Sequence, residues 1–295
     1  MRTTRRGVLS VIVENTLIDI PASLYHSHRE SISKSGLDLI ARSPAHYRYA
    51  EPREETQAMR LGTATHTAIL EPERYRREYR VITAAKDRRC KAWNDAAKEL
   101  DTGSDGDPLM LTGPEGERVA RMAQAVRSAP GIADLLQSDG RAEQSVFTRD
   151  PATGLLVRIR LDWITTAGRA MDLKTTADLR NDKFFRSVVD YRYHVQQAFY
   201  TDAFQWAFGE RLDFAFGLTE SDAPFVSKLV RLPDDVVAWG RLQYRRDLDT
   251  YARCLDRNEW PGPEPEIQTL ITPQWALHRM EDDMGDLDIQ MGDEA

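Results

Sequence analysis

Cysteine is almost missing from this 295-residue chain: Cys90 and Cys254 stand alone, 164 positions apart. Two thiols so separated form neither a disulfide framework nor a CxxC metal site, and an iron-sulfur cluster held by four cysteines is excluded. A reducing, cytoplasmic setting is expected. Long apolar runs are missing too. Nothing approaches the roughly 20 residues that cross a bilayer, so no membrane association is expected. Arg5-Arg6 ahead of Val8 and Leu9 imitates an export signal, but Glu14, Asn15 and Asp19 interrupt the apolar stretch, which reads instead as a strand entering the fold. Internal repeats and long low-complexity linkers are also absent.

Positive charge is short as well, with 40 Lys and Arg against 47 Asp and Glu for a net charge of −7. That balance opposes phosphate binding until its distribution is considered. Residues 281–295 hold Glu281, Asp282, Asp283, Asp286, Asp288, Asp293 and Glu294 and no basic residue, so the other 280 residues balance to zero. The tail is expected to be disordered. Residues 1–280 are expected to form one domain, with a helical part over about 25–138 and a core over about 140–260. Residues 74–91 carry eight basic side chains, Arg88, Arg89 and Lys91 among them, against Glu78 and Asp87. Such a stretch is a candidate phosphate-tracking surface, and equally an ordinary solvated helix face.

Ser35-x-x-Asp38 reads as a capping box ahead of Leu37, Ile40 and Ala41, with Pro44 stopping the helix. Leu61, Thr65 and Ile69 recur every four residues in a helix over about 58–70. Another helix covers about 114–128. The texture then changes, and 144–148, 155–164 and 169–173 read as strands whose short turns make an antiparallel meander. A single long helix over about 184–208 ends at Gly209. Strands at 212–219 and 225–232 flank the turn Ser221-Asp-Ala-Pro224, and Pro233 opens a last helix reaching about Asn258. The order predicts an α/β fold: a mixed central sheet flanked by helices, with an N-terminal helical elaboration.

Strand side chains alternate between faces. Arg158, Arg160 and Asp162 should therefore share one face, and Val157, Ile159, Leu161 and Trp163 the other. In the next strand Asp172 and Lys174 oppose Met171 and Leu173. A hairpin between the two strands would set Asp162 and Asp172 beside one lysine. Adjacent carboxylates resist joint ionisation without a cation, and their oxygens suit magnesium, with manganese as a substitute. Phosphodiester hydrolysis uses such a site, although an isolated D-x-K is more often a surface ion pair. Glu143, at the start of the preceding strand, can reach the same metals. His66 lies on the early helix in Gly62-Thr-Ala-Thr-His66, and Gln196 and Tyr200, four apart, share a helix face.

In this order, G-x-x-x-H, E, D, D-x-K and Q-x-x-x-Y resemble the RecB-like branch of the PD-(D/E)-x-K nucleases. Ile32-Ser33-Lys34-Ser35, Asp172-Leu-Lys-Thr-Thr176 and Tyr193-His-Val-Gln-Gln-Ala-Phe-Tyr200 are similar to the exonuclease VIII catalytic domain, a likeness running from about Tyr25 to Trp275. The resemblance implies metal ligation by His66, Asp162, Asp172 and the main-chain carbonyl of Leu173. It makes Lys174 the catalytic lysine and Glu143 an accessory acid. Gln196 and Tyr200 would position Lys174 or the DNA strand, and Arg158 and Arg160 would face the phosphate. It further implies a magnesium-dependent exonuclease digesting one strand of duplex DNA from its 5′ end, a ring-shaped homo-oligomer, and a single-strand annealing protein as partner in phage-type recombination. Two rival expectations are an endonuclease of the same superfamily and a catalytically silent DNA-binding protein. The presence of both Asp172 and Lys174 weighs against the second.

Overall fold

A computed structural model of the chain describes residues 12–51, 55–100 and 108–263, with scattered positions between 269 and 280. The strand expected around Val8 and Leu9 and the acidic tail lie outside the described residues. The chain divides into two units, Met1–Trp260 and Pro261–Ala295, and the first contains everything described below. Among the described residues no helix is long and apolar enough to cross a membrane.

In chain order the first unit contains β1 (Ile18–Asp19), α1 (Ala22–Ser27), α2 (Lys34–Arg42), α3 (Pro44–Arg48), α4 (Gln57–Leu70), α5 (Pro72–Glu78), β2 (Tyr79–Ile82), α6 (Lys91–Leu100), β3 (Leu109–Thr112), α7 (Gly113–Ser128), α8 (Pro130–Gln137), β4 (Gly140–Arg149), β5 (Leu156–Thr165), β6 (Arg169–Thr176), α9 (Asn181–Asp190), α10 (Tyr193–Phe208), β7 (Asp213–Glu220), β8 (Ser227–Val230) and α11 (Asp234–Arg257). Six strands form a mixed sheet in the order β1-β4-β5-β6-β7-β8, while β2 and β3 pair apart. The β4–β5–β6 meander is antiparallel as expected. The parallel β6–β7 pair needs a crossover, which α9 and α10 supply.

Helices cover both faces of the sheet. On one side Leu37, Ile40, Phe199, Tyr244 and Leu248 pack against Ile159, Leu161 and Phe216. On the other, Ile69, Val119, Val126, Ile132 and Leu135 pack against Met171 and Leu173. Gly240 allows α11 to approach the start of α10, since a Cβ there would come within 2.2 Å of the His194 carbonyl oxygen.

Local choices differ from the sequence expectation at three places. Helix α2 is capped by Ser33, whose hydroxyl accepts from Gly36 N–H, and Ser35 lies inside the helix. The helix expected over 184–208 is two helices, broken at Tyr191-Arg192, where Arg192 takes a left-handed φ of 54°. Such a conformation costs a non-glycine residue about 1–2 kcal/mol. Ion pairs from Arg192 to Asp38 (3.0 Å) and to buried Asp247 hold it in place.

The third place is the strand alternation. Leu161 and Ile164 have opposite parity, yet both join the core on the α10 side, while Trp163 joins the other core. The alternation therefore changes phase at Asp162. Across from it stands Glu143, itself left-handed with φ 54°. Trp163 thus leaves the face it was expected to share with Leu161.

The β5–β6 ladder is short, with only Trp163↔Met171 and Ile164↔Ala170 paired. Beyond them β5 stays with β4 and β6 with β7, so the two strands part. Ile32 bridges the exposed edge of β5: its N–H donates to the Leu156 carbonyl (3.0 Å), and its carbonyl accepts from Arg158 N–H (2.9 Å). That bridge delivers Ser33 and Lys34 to the opening.

Candidate active site

Asp162 and Asp172 are the next residues past the end of the short ladder, so each carries a carboxylate into the gap. Asp162 Oδ2 accepts Leu173 N–H at 2.7 Å, satisfying a donor that has no strand partner on this side. Asp172 is buried; its Oδ1 accepts from Gln196 Nε2 at 2.6 Å and its Oδ2 pairs with Lys174 Nζ. Glu143 Oε2 accepts from Arg160 Nε at 2.6 Å. Helix α4 brings His66 Nδ1 within 3.4 Å of Asp162 Oδ2. His66, Glu143, Arg160, Asp162, Asp172, Lys174 and Gln196 line one cleft of about 830 Å³ together with Tyr25, Lys34, Tyr193 and Tyr200.

Burial, reinforced by Asp172 and Glu143, pushes Asp162 well above the ordinary carboxylate range in spite of Lys174. Burial also works against the charge on Lys174, but Asp172 and Asp162 outweigh it and raise the lysine. Burial pulls His66 down, opposed by Asp172 and by a hydrogen bond with the Leu173 backbone, and aided by Lys174. One ligand atom each from His66, Glu143 and Asp162 lie within 4.8 Å of one another. An imidazole nitrogen with two carboxylate oxygens fits a divalent cation, and the suppressed ionisation of Asp162 is the imbalance that such a cation relieves.

The structure brings together His66, Glu143, Arg160, Asp162, Asp172, Lys174, Gln196 and Tyr200, as the sequence led one to expect. Their assignments shift in detail. The Asp172 oxygens face Lys174 and Gln196, so this carboxylate borders the His66–Glu143–Asp162 trio. Gln196 holds Asp172 and reaches Lys174 only through it. Leu173 enters through its backbone contacts with Asp162 and His66.

Arg158 leaves the phosphate-facing set. It is 7% exposed, and its Nη1 donates to the carbonyls of His28 (2.9 Å) and Ser31 and to Ser31 Oγ (3.0 Å), tying the N-terminal segment to β5. The basic stretch is also less open than its count suggests. Arg74 pairs with Glu71 and Glu78, Arg76 with Glu73, Arg80 with Glu99, and Arg88 with Glu115. Arg88 and Arg89 line a separate groove of about 690 Å³. Exposed Lys91 begins α6.

Lys34, Tyr25 and Tyr193 are site residues to which the sequence assigned no role. Lys34 Nζ pairs with Asp38 (2.7 Å) and donates to the Tyr191 carbonyl (2.7 Å). Lys174 Nζ lies 4.8 Å from the Tyr193 ring centroid, and Tyr25 lies under Arg158 and Arg160. Lys34 and Tyr193 occur in the strings compared above, but a lysine and a tyrosine in a helix's first turn carry no spacing signal that would single them out.

A model of the PDDEXK-like domain of unknown function (DUF3799) matches residues 31–271. The chain belongs to this family. The matched span takes in every residue of the cleft from Ser33 to Tyr200. A crystal structure from Eubacterium rectale, provisionally described as an exonuclease, superposes with a TM-score of 0.59 at 13% identity, covering 87% of this chain and 96% of that one. No curated protein matches. The mixed sheet flanked by helices is thus a PDDEXK-like fold.

Proposed function

We propose that the chain is a metal-dependent nuclease that hydrolyses the phosphodiester bonds of linear duplex DNA from its ends, 5′ to 3′, with magnesium as cation. The observation that carries this reading is the convergence of His66, Glu143, Asp162, Asp172 and Lys174 where β5 and β6 separate, at the floor of an open cleft. A cation held by His66, Glu143 and Asp162 would acidify a water and offset charge on the phosphate. The chain's own groups do the rest. Lys174, cationic beside Asp172, faces the cleft as a donor to a phosphate oxygen. Gln196 fixes Asp172, and Asp172 fixes Lys174. Arg160 orients Glu143 and adds positive charge to the wall.

End preference, polarity, ring assembly, a single-strand annealing partner and a place in phage-type recombination are supported by the likeness to exonuclease VIII. Digestion of linear duplex DNA labelled at its 5′ or 3′ ends, beside closed circular duplex, tests the reading. Magnesium should support loss of the linear DNA with early release of 5′ label, while the circle survives and EDTA stops the reaction. Lys174→Ala should lower the rate by about 10²–10³-fold. Cleavage of the circle would replace this reading with an endonuclease, and DNA binding without cleavage would replace it with a silent scaffold.

A further inference from the structure

Three aromatic rings lead from the core to the mouth of the cleft. Phe184, 4% exposed, stacks on Tyr193 (centroids 6.1 Å, 28°), and Tyr193 stacks on Tyr191 (5.7 Å, 29°). The inner part of the stack adjoins the chemistry, since Lys174 Nζ lies 4.8 Å from the Tyr193 centroid. The outer ring, Tyr191, is 62% exposed. It lines both the main cleft and a side pocket of about 290 Å³ whose walls include Lys174, Lys183 and Ser187.

The backbone at Tyr191 is tied in two ways. Lys34 Nζ holds its carbonyl at 2.7 Å. The next residue, Arg192, keeps its left-handed conformation because Asp38 and Asp247 hold its guanidinium. A lone exposed tyrosine would be ordinary. Backbone strain secured by ion pairs beside a reactive lysine marks a position maintained for a purpose.

We propose that Tyr191 is a stacking platform for an unpaired nucleobase next to the scissile phosphate. The inference rests on the nuclease reading above and specifies its substrate: a frayed or single-stranded nucleotide. An unpaired nucleotide combines an open aromatic face with a phosphate, which matches a free ring flanked by Lys174 and Lys183. A base inside a duplex keeps both faces covered by its neighbours, and a paired terminal base opens one face only along the helix axis, away from the phosphates beside it. Phosphate groups without a base gain nothing from the ring.

The test compares wild type with Tyr191→Ala, Tyr191→Phe and Tyr191→Trp on linear duplexes that carry intact nucleotides, or abasic sites, at the two terminal positions. Loss of one stacked base weakens binding by about 5- to 150-fold. Tyr191→Ala should therefore raise KM about ten-fold or more on the intact end with little change in kcat, while Phe and Trp stay near wild type. Abasic ends should erase the difference between Ala and wild type. In EDTA, wild type, Phe and Trp should quench 2-aminopurine at the terminal positions, and Ala should not. An Ala variant equal to wild type on intact ends, or equally impaired on abasic ends, overturns the proposal. If no variant cleaves DNA the nuclease reading fails, and the quenching then decides the platform by itself: its absence in wild type ends it.

Discussion

Asp162 is half-buried beside two other carboxylates. Because burial, Asp172 and Glu143 raise its pKa, the metal-free protein keeps a proton on this carboxyl to higher pH than an ordinary aspartate would. Cation binding must displace that proton. Magnesium or manganese affinity should fall as pH is lowered, and binding should release protons. Calorimetry in buffers of different ionisation enthalpy checks this, and proton uptake, or no linkage, would refute it. The set of residues that meets in the cleft was legible in the sequence because D-x-K spacing, a preceding carboxylate and a helical Gln-x-x-x-Tyr each constrain geometry. Arg158 was misread because period two gives a face and not a destination. Its face is closed by residues 28–31, more than a hundred positions earlier.

Among the elements, hydrophobic period found most of the strands and helices of the core, because β5, β6 and α10 each bury a face or more. It did not find the break between α9 and α10, which depends on ion pairs to α2 and α11 that no local window contains. A similar long-range tie anchors the β4–β5 turn. Asp150, fully buried, accepts from Thr153 N–H (3.0 Å) and from the Arg245 guanidinium (Nη2 at 2.7 Å) on α11. Burial alone would raise its pKa, but Arg245 and Thr153 hold it below the ordinary carboxylate range. A depressed folded pKa means that the stabilisation is complete above about pH 4 and fades as pH falls further. Arg245→Met strands a buried carboxylate and should cost about 3–5 kcal/mol at neutral pH. The penalty should shrink as pH falls and the stranded carboxyl takes up a proton, so that wild type and variant draw together at pH 3. Urea titrations at pH 7 and pH 3 measure both, and an unchanged midpoint at pH 7 would refute the assignment.

For the whole molecule, net charge misleads. The value of −7 describes neither the cleft nor the groove beside it, and the count of arginines in 74–91 overstates free cations because several are already paired. Arg89 is exposed on the groove wall, whereas Arg76 pairs with Glu73 at 2.5 Å. Arg89→Ala should weaken DNA binding and reduce the slope of log K against log salt by about one. Arg76→Ala should alter neither. Anisotropy across a salt series with EDTA present distinguishes them, and equal effects of the two substitutions would remove the groove from the DNA path.

The short β5–β6 ladder decides where the cleft lies. A continuous sheet insulates the layers on its two sides. Here the insulation is interrupted: His66 of α4 reaches Asp162, and Gln196 of α10 reaches Asp172, at a gap left by a ladder of two residue pairs. A ladder continued past those two pairs would leave no gap for the Asp162 and Asp172 carboxylates, so the reactive cleft exists because the pairing stops where it does.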